Sequence, residues 1–139
     1  MRISTIFFFI IFYVNTALAS PNIEYWTTGA GAEVYYVHAP ELPMVDIQIV
    51  FDAGSSRDED TLGIAMLTNS LLADGAGGDD ADKISNDFES LGAIYATDIS
   101  YDSASLQLRS LTESGLLKSA IINLKKVLSS PDFPTDALE

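Results

Sequence analysis

From Met44 to Phe51 the chain alternates strictly. Val45, Ile47, Ile49 and Phe51 fall on one side, and Met44, Asp46, Gln48 and Val50 on the other. A period of two held over this length predicts a half-buried strand. Upstream, Glu33 to His38 alternates more weakly but is rich in Val and Tyr, which suits a second strand. Ala39-Pro40-Glu41-Leu42-Pro43 breaks it, because each proline removes a backbone donor. The two strands are expected to form an antiparallel hairpin with a proline-stiffened connection. Residues 20–32 place turn formers around Tyr25-Trp26 and read as a lead-in segment with at most one short strand.

The period then changes. Asp52-Ala53-Gly54-Ser55-Ser56 ends the strand, and Asp58-Glu59-Asp60-Thr61 precedes a helix of about twelve residues with apolar side chains on nearly every side. Acidic groups at a helix start suit the positive end of its dipole, and Asp60 or Thr61 can cap it. Asp74-Gly75-Ala76-Gly77-Gly78 reads as a flexible loop. Asp79-Asp80 caps a second helix with Ile84, Phe88 and Leu91 at helical spacing, and Gly92 stops it. Ala93 to Thr97 and Ser103 to Leu111 predict two more strands, joined around Asp98 to Asp102. A third helix runs from about Glu113 to Leu128, with Leu116, Leu117, Ile121, Leu124 and Leu128 on one stripe. Pro131-Asp132-Phe133-Pro134 ends it, and Asp136-Ala137-Leu138-Glu139 resembles the opening of another helix. Strands that come in adjacent pairs, rather than singly between helices, indicate an α+β fold with an antiparallel sheet.

The 139 residues suffice for one modest domain, and 47% apolar residues can bury a core. Twenty acidic groups against seven basic ones give a charge of −13, which repels phosphate backbones and argues against a nucleic-acid partner. The absence of cysteine removes disulfides, thiolate metal sites and thiol nucleophiles together. Residues 1–19 have the layout of a secretory signal peptide: Met1-Arg2, an apolar run from Ile6 to Val14, and Ala17-Leu18-Ala19 before Ser20-Pro21. Cleavage is expected between Ala19 and Ser20. The run falls short of the roughly 20 apolar residues of a membrane span, so no stable span is expected after cleavage.

Candidate chemistry is sparse. A nucleophilic triad needs a base, and the single histidine, His38, lies at the end of a predicted strand. No Gly-x-Ser-x-Gly elbow and no phosphate-loop lysine pattern occurs. Asp74 to Asp80 offers the hard oxygen ligands that calcium takes, but its spacing does not match an EF-hand loop, and a helix–helix connection is the favoured reading. Asp58-Glu59-Asp60 and Asp79-Asp80-Asp82 read as helix caps or solvent-facing groups.

Three stretches in order resemble one family. Phe51-Asp52-Ala53-Gly54-Ser55, the acidic turn and Gly63-Ile64-Ala65 are similar to the approach to the zinc helix of the insulinase-like (M16) metallopeptidases. Phe88-Glu89-Ser90-Leu91-Gly92-Ala93, with Ala96-Thr97 and Tyr101, resembles that family's helix ending in Leu-Gly-Gly and its following strand. Leu124 to Pro131, with Phe133 and Leu138-Glu139, resembles the segment before the family's distal zinc-ligand glutamate. The resemblance covers residues 33–139. It implies an M16 and LuxS-like metallohydrolase half-domain with helices on one side of the sheet, cut short at its C-terminal end, following a signal peptide (1–19) and a lead-in (20–32).

The same resemblance places Met66 at the first histidine of His-x-x-Glu-His, Asn69 at the catalytic glutamate and Ser70 at the second histidine. Catalytic zinc needs imidazoles on one helical face, a further ligand and an open position for water. The glutamate must take a proton from that water. Methionine is a poor zinc ligand, and asparagine cannot accept a proton. What the resemblance implies is therefore a non-catalytic subunit without metal or cofactor of its own. It would be exported to the periplasm and paired with an active zinc-dependent M16 subunit or a second M16-type half, contributing chamber wall or peptide contacts. Two other readings stay open: a zinc metalloendopeptidase with non-standard ligands, and an unrelated exported binding or structural domain.

Overall fold

The computed structural model describes residues 21–138. The expected signal segment with its cleavage point, and Glu139, lie outside the described residues. The chain divides after Glu41 into two compact units, and each is taken by itself.

The first unit is a β-hairpin. Strands β1 (Ile23–Thr27) and β2 (Glu33–Val37) pair antiparallel, with Tyr25 opposite Tyr35 and Trp26 opposite Val34. The turn closes through Thr28 N–H donating to the Ala32 carbonyl at 2.8 Å, with Gly31 at φ 89°, a conformation that costs glycine little. Rings flank the ribbon on both faces: Tyr25 and Tyr35 lie 5.0 Å apart on one, Trp26 and Tyr36 6.5 Å apart on the other. Here the structure corrects the sequence-based expectation. β2 takes its ladder from β1 in the lead-in segment, and not from the strand after the prolines, because the glycine turn brings β1 back at once while the proline segment lacks donors.

The second unit is built on strand β7 (Ala104–Leu111), which lies between β3 (Met44–Phe51) and β6 (Ile94–Ile99) in an antiparallel sheet. The register sets Ile47 and Tyr95 beside Leu108, and Ile49 and Thr97 beside Leu106, so one sheet face collects the apolar alternation of all three strands. Helices α1 (Ile64–Leu71), α2 (Ala81–Glu89) and α3 (Ser114–Ser129) pack on that face. The core joins Leu106 and Leu108 to Ile84 and Phe88 of α2 and to Ala120, Leu124 and Val127 of α3. This is the α+β arrangement expected, with helices on one side. The buried stripe of α3 runs through Ala120 and Val127, however, and Ile121 is exposed. The opposite sheet face is open and mixed, exposing Val50 and Ile94 beside the Arg109 guanidinium, which is forked onto the Asp46 carboxylate at 2.6 and 2.9 Å.

The glycine stretch after α1 is a hairpin and not an irregular loop. Gly75–Ala76 (β4) and Asp79–Asp80 (β5) form a tight hairpin whose turn residues, Gly77 and Gly78, sit at φ 62° and 83°. Positive φ at both central positions is what a primed turn demands. Ala76 also bridges to Pro131, and the Gly78 N–H donates to the Asp132 carboxylate at 2.7 Å. Asp79 pairs with Lys126, and the Asp80 carboxylate accepts from the Lys83 N–H as the cap of α2. Asp79, Asp80 and Asp132 are thus engaged in holding the chain. α2 ends as expected at Gly92, φ 63°, with the Ala93 N–H returning to the Phe88 carbonyl and the Gly92 N–H to Glu89.

Candidate functional site

The site the sequence points to lies where β3 runs into α1. Past Phe51 the chain turns through Gly54, which is buried against the β6–β7 turn. A Cβ there would stand 2.3 Å from the Tyr101 carbonyl oxygen and 2.4 Å from the Ser103 nitrogen, so only glycine fits. Two main-chain bonds fasten the loops: Ser55 N–H to the Ser100 carbonyl at 3.1 Å and Ser56 N–H to the Tyr101 carbonyl at 2.8 Å. A 3₁₀ turn, Ser55–Arg57, follows, and the Arg57 guanidinium pairs with the Asp52 carboxylate. That hydrogen bond, reinforced by the charge, holds the Asp52 carboxyl below its ordinary pKa.

α1 is shorter than its pattern suggested, eight residues in place of about twelve. Neither Asp60 nor Thr61 caps it. Its N-cap is Gly63 at φ 90°, and the buried Asp58 reaches over the intervening turn. One Asp58 oxygen accepts from the Gly63 N–H at 2.7 Å and the other from the Ala65 N–H at 2.9 Å. The left-handed glycine inserts an extra bend between the acidic turn and the helix, which moves the cap from Asp60 back to Asp58. The sequence offered Asp58 only within the cluster Asp58-Glu59-Asp60, as a helix cap or solvent-facing group. The signal that singles it out is an aspartate shortly before a glycine that breaks the helical pattern.

The three positions singled out do different work. Met66 is 60% exposed. Ser70 is exposed, and its hydroxyl donates to the Leu67 carbonyl at 2.9 Å. Asn69 is buried, and its side-chain N–H donates to the Asp98 carbonyl of β6 at 2.9 Å. Asn69 thus ties α1 to the sheet through a donor, the one thing a carboxylate at that position lacks. A cleft of about 420 Å³ opens beside the helix, floored by Leu72, Leu106 and Leu128 and edged by Phe51 and Ile64.

Residues 33–139 match the insulinase family of peptidases, family M16. The chain belongs to that family. Among solved structures, it matches the inactive domain of an M16 peptidase from Pseudomonas fluorescens at 40% identity and a TM-score of 0.82, over 84% of this chain and 28% of that one. A Helicobacter pylori protease (16% identity, TM-score 0.72, 84% of this chain and 28% of that) shares the fold. So does the periplasmic protease PqqL of Escherichia coli (20%, 0.72, 83% and 14%). The present sequence therefore spans between a seventh and a third of these relatives. A comparison with curated proteins gives no significant match.

M16 peptidases imply zinc, and the residues of this chain do not fit it. The sequence holds one histidine and no cysteine. At the three singled-out positions stand an exposed thioether, a carboxamide whose N–H is given to the Asp98 carbonyl, and a hydroxyl turned to its own helix, while the nearby Asp58 carboxylate is engaged by the Gly63 and Ala65 N–H groups. Among the described residues, no group of three or more His, Cys, Asp or Glu side chains is placed to hold a metal ion.

Proposed function

We propose that this M16 chain is a non-catalytic, exported peptidase-like subunit that pairs with an active zinc-dependent M16 partner and supplies chamber wall or peptide contacts. In this reading Met66, Asn69 and Ser70 stand where an active member carries His-x-x-Glu-His, and the zinc belongs to the partner. The observation that carries it is Asn69, whose amide is buried and committed to holding α1 on β6. In this reading a position that accepts a proton in active members holds instead an amide N–H that donates a structural hydrogen bond. Two likenesses support the rest. The Pseudomonas fluorescens relative is described as an inactive domain, and the Escherichia coli relative is described as periplasmic.

The test is to tag the natural full-length protein, recover it from periplasmic extract, and assay both metal and partner. The expected result is co-recovery of an M16 subunit with an intact His-x-x-Glu-His and zinc in proportion to that subunit. Recovery of this chain alone with stoichiometric zinc and chelator-sensitive peptide cleavage would overturn the reading.

A further inference from the structure

We propose that the outer face of α3 docks an acidic amphipathic helix of a partner protein, which sets its apolar side chains on Ile121 and Ile122 and its carboxylates on Lys118 and Lys125. This goes beyond the subunit reading above, since it holds whether or not the partner carries zinc.

α3 stands apart in the distribution of charge. The chain has twenty acidic residues, yet none falls from Ser114 to Pro131, the longest acid-free stretch among the described residues. Glu113 and Asp132 lie just beyond its ends. Within it stand three of the basic residues, Lys118, Lys125 and Lys126.

The structure separates those three. Lys126 is half-buried and turned to Asp79 and Asp87. Arg57 is paired with Asp52, Lys83 with Asp87 and Arg109 with Asp46. Among the described Lys and Arg side chains, that leaves Lys118 and Lys125, both exposed, without a carboxylate at ion-pair distance. Seven residues apart on a helix, they share a face and lie roughly 10 Å apart along its axis.

Ile121 and Ile122, 43% and 55% exposed, fill the turn between them. Ile122 stands one turn after Lys118, and Ile121 one turn before Lys125. On α2 the corresponding position beside Lys83 holds Asp87, the usual partner of a solvent-facing lysine. Isoleucine gives a helix no more than serine does, so helix stability does not account for two of them in the open. Nor does the core, which α3 meets through Ala120, Leu124 and Val127. Exposed apolar side chains occur elsewhere on the molecule. Only here, among the described residues, are they flanked by unpaired cations.

That pattern is complementary to apolar side chains bordered by Asp and Glu. An anionic bilayer carries the same charge, but each lysine near one contributes only about 1 kcal/mol and lipid-binding segments carry about four to eight basic residues. Two lysines on a chain of net charge −13 favour a protein.

The probe is a fluorescent designed peptide, helical, with leucines on one face and glutamates beside them, titrated with the full-length protein at low and high salt. Lys118→Gln and Lys125→Gln are each expected to weaken binding about three-fold at low salt and less at high salt. Combining Ile121→Ser with Ile122→Ser should weaken it about ten-fold at both, with the helix intact because serine matches isoleucine in propensity. Arg109→Gln removes the same charge from the open sheet face and should leave binding unchanged. Absence of binding, equal binding of a twin peptide with lysines for glutamates, or an equal effect of Arg109→Gln would overturn the proposal. So would retention on phosphatidylglycerol vesicles lost with the same α3 variants, which would make the occupant a membrane. Self-association lost with them would make it a second copy. None of these outcomes depends on whether an M16 subunit is recovered from extract, so the two readings fail separately.

Discussion

α1 and α2 are nearly the same length, eight and nine residues, and both pack toward β6, yet they are held by different means. α2 carries its own cap in Asp80, buries Ile84 and Phe88 four residues apart on one stripe, and ends in a glycine stop. Everything that specifies it lies within its own segment. α1 borrows its cap from Asp58, buries the polar Asn69 with Leu71, and leaves Ile64, Met66 and Leu67 facing outward. It is positioned by polar ties and presents apolar surface, the reverse of an amphipathic helix seated by burial. One helix serves the fold; the other uses the fold to hold a surface in place.

The sharpest test of that contrast is a matched pair of truncations. Phe88 is 3% exposed and stacks on Tyr95 at 5.2 Å, so Phe88→Ala is expected to cost about 3–5 kcal/mol in urea unfolding. Leu67, 45% exposed, should cost less than about 1 kcal/mol on the same change. Comparable losses would mean that α1 is as much a part of the core as α2.

Gly54→Ala comes next. Its methyl would collide with the main chain of Tyr101 to Ser103, and backbone cannot swing aside as a side chain can. A loss of about 1–3 kcal/mol is expected, with hydrogen-exchange protection falling at Ser55 and Ser56 before it falls in α2. A neutral Gly54→Ala would show that α1 is not anchored through this turn.

This contrast also explains what could be read from the sequence. The alternation of β3, the Asp80 cap, the Gly92 stop and the α+β order were legible because each is a local signal. The identity of β2's partner was not, since alternation marks a strand without naming its neighbour. The hairpin at Gly77-Gly78 was hidden because glycine pairs signal flexibility and primed turns equally. At the candidate site, Met66, Asn69 and Ser70 could be singled out by resemblance. The work of Asn69 could not, because it depends on the Asp98 carbonyl twenty-nine residues away. Asp58 could not be told from Glu59 and Asp60 as the cap for the same reason, its two N–H partners belonging to the left-handed Gly63 and to Ala65 beyond it.

Asn69→Leu isolates that long-range tie. The side chain keeps its size and loses its donor, leaving the Asp98 carbonyl without its partner, so about 1–2 kcal/mol should be lost. The loss should appear as faster exchange of α1 amides with α2 unaffected. Equal effects on both helices would mean the residue contributes general packing and not a specific tie.

The smallest expected effect lies on the α2 side, where the core has one imperfection. The Tyr95 hydroxyl is shielded and meets no protein partner among the described residues, and burial pushes its pKa up to about 12. Tyr95→Phe keeps the stacked ring and removes that hydroxyl, so the variant should be as stable as the parent or more stable by up to about 1 kcal/mol. The pH dependence gives the sign independently. With the folded pKa raised above the unfolded value of about 10, the unfolded chain releases this proton first as pH rises. The parent therefore loses stability as pH climbs from the unfolded value through the folded one, and Tyr95→Phe lacks that loss. The stability gap between variant and parent should be smallest below pH 10 and widen above it, since the remaining tyrosines are common to both. A gap that stays constant with pH would mean the Tyr95 hydroxyl is solvated, and the α2 side of the core is looser than its burial suggests.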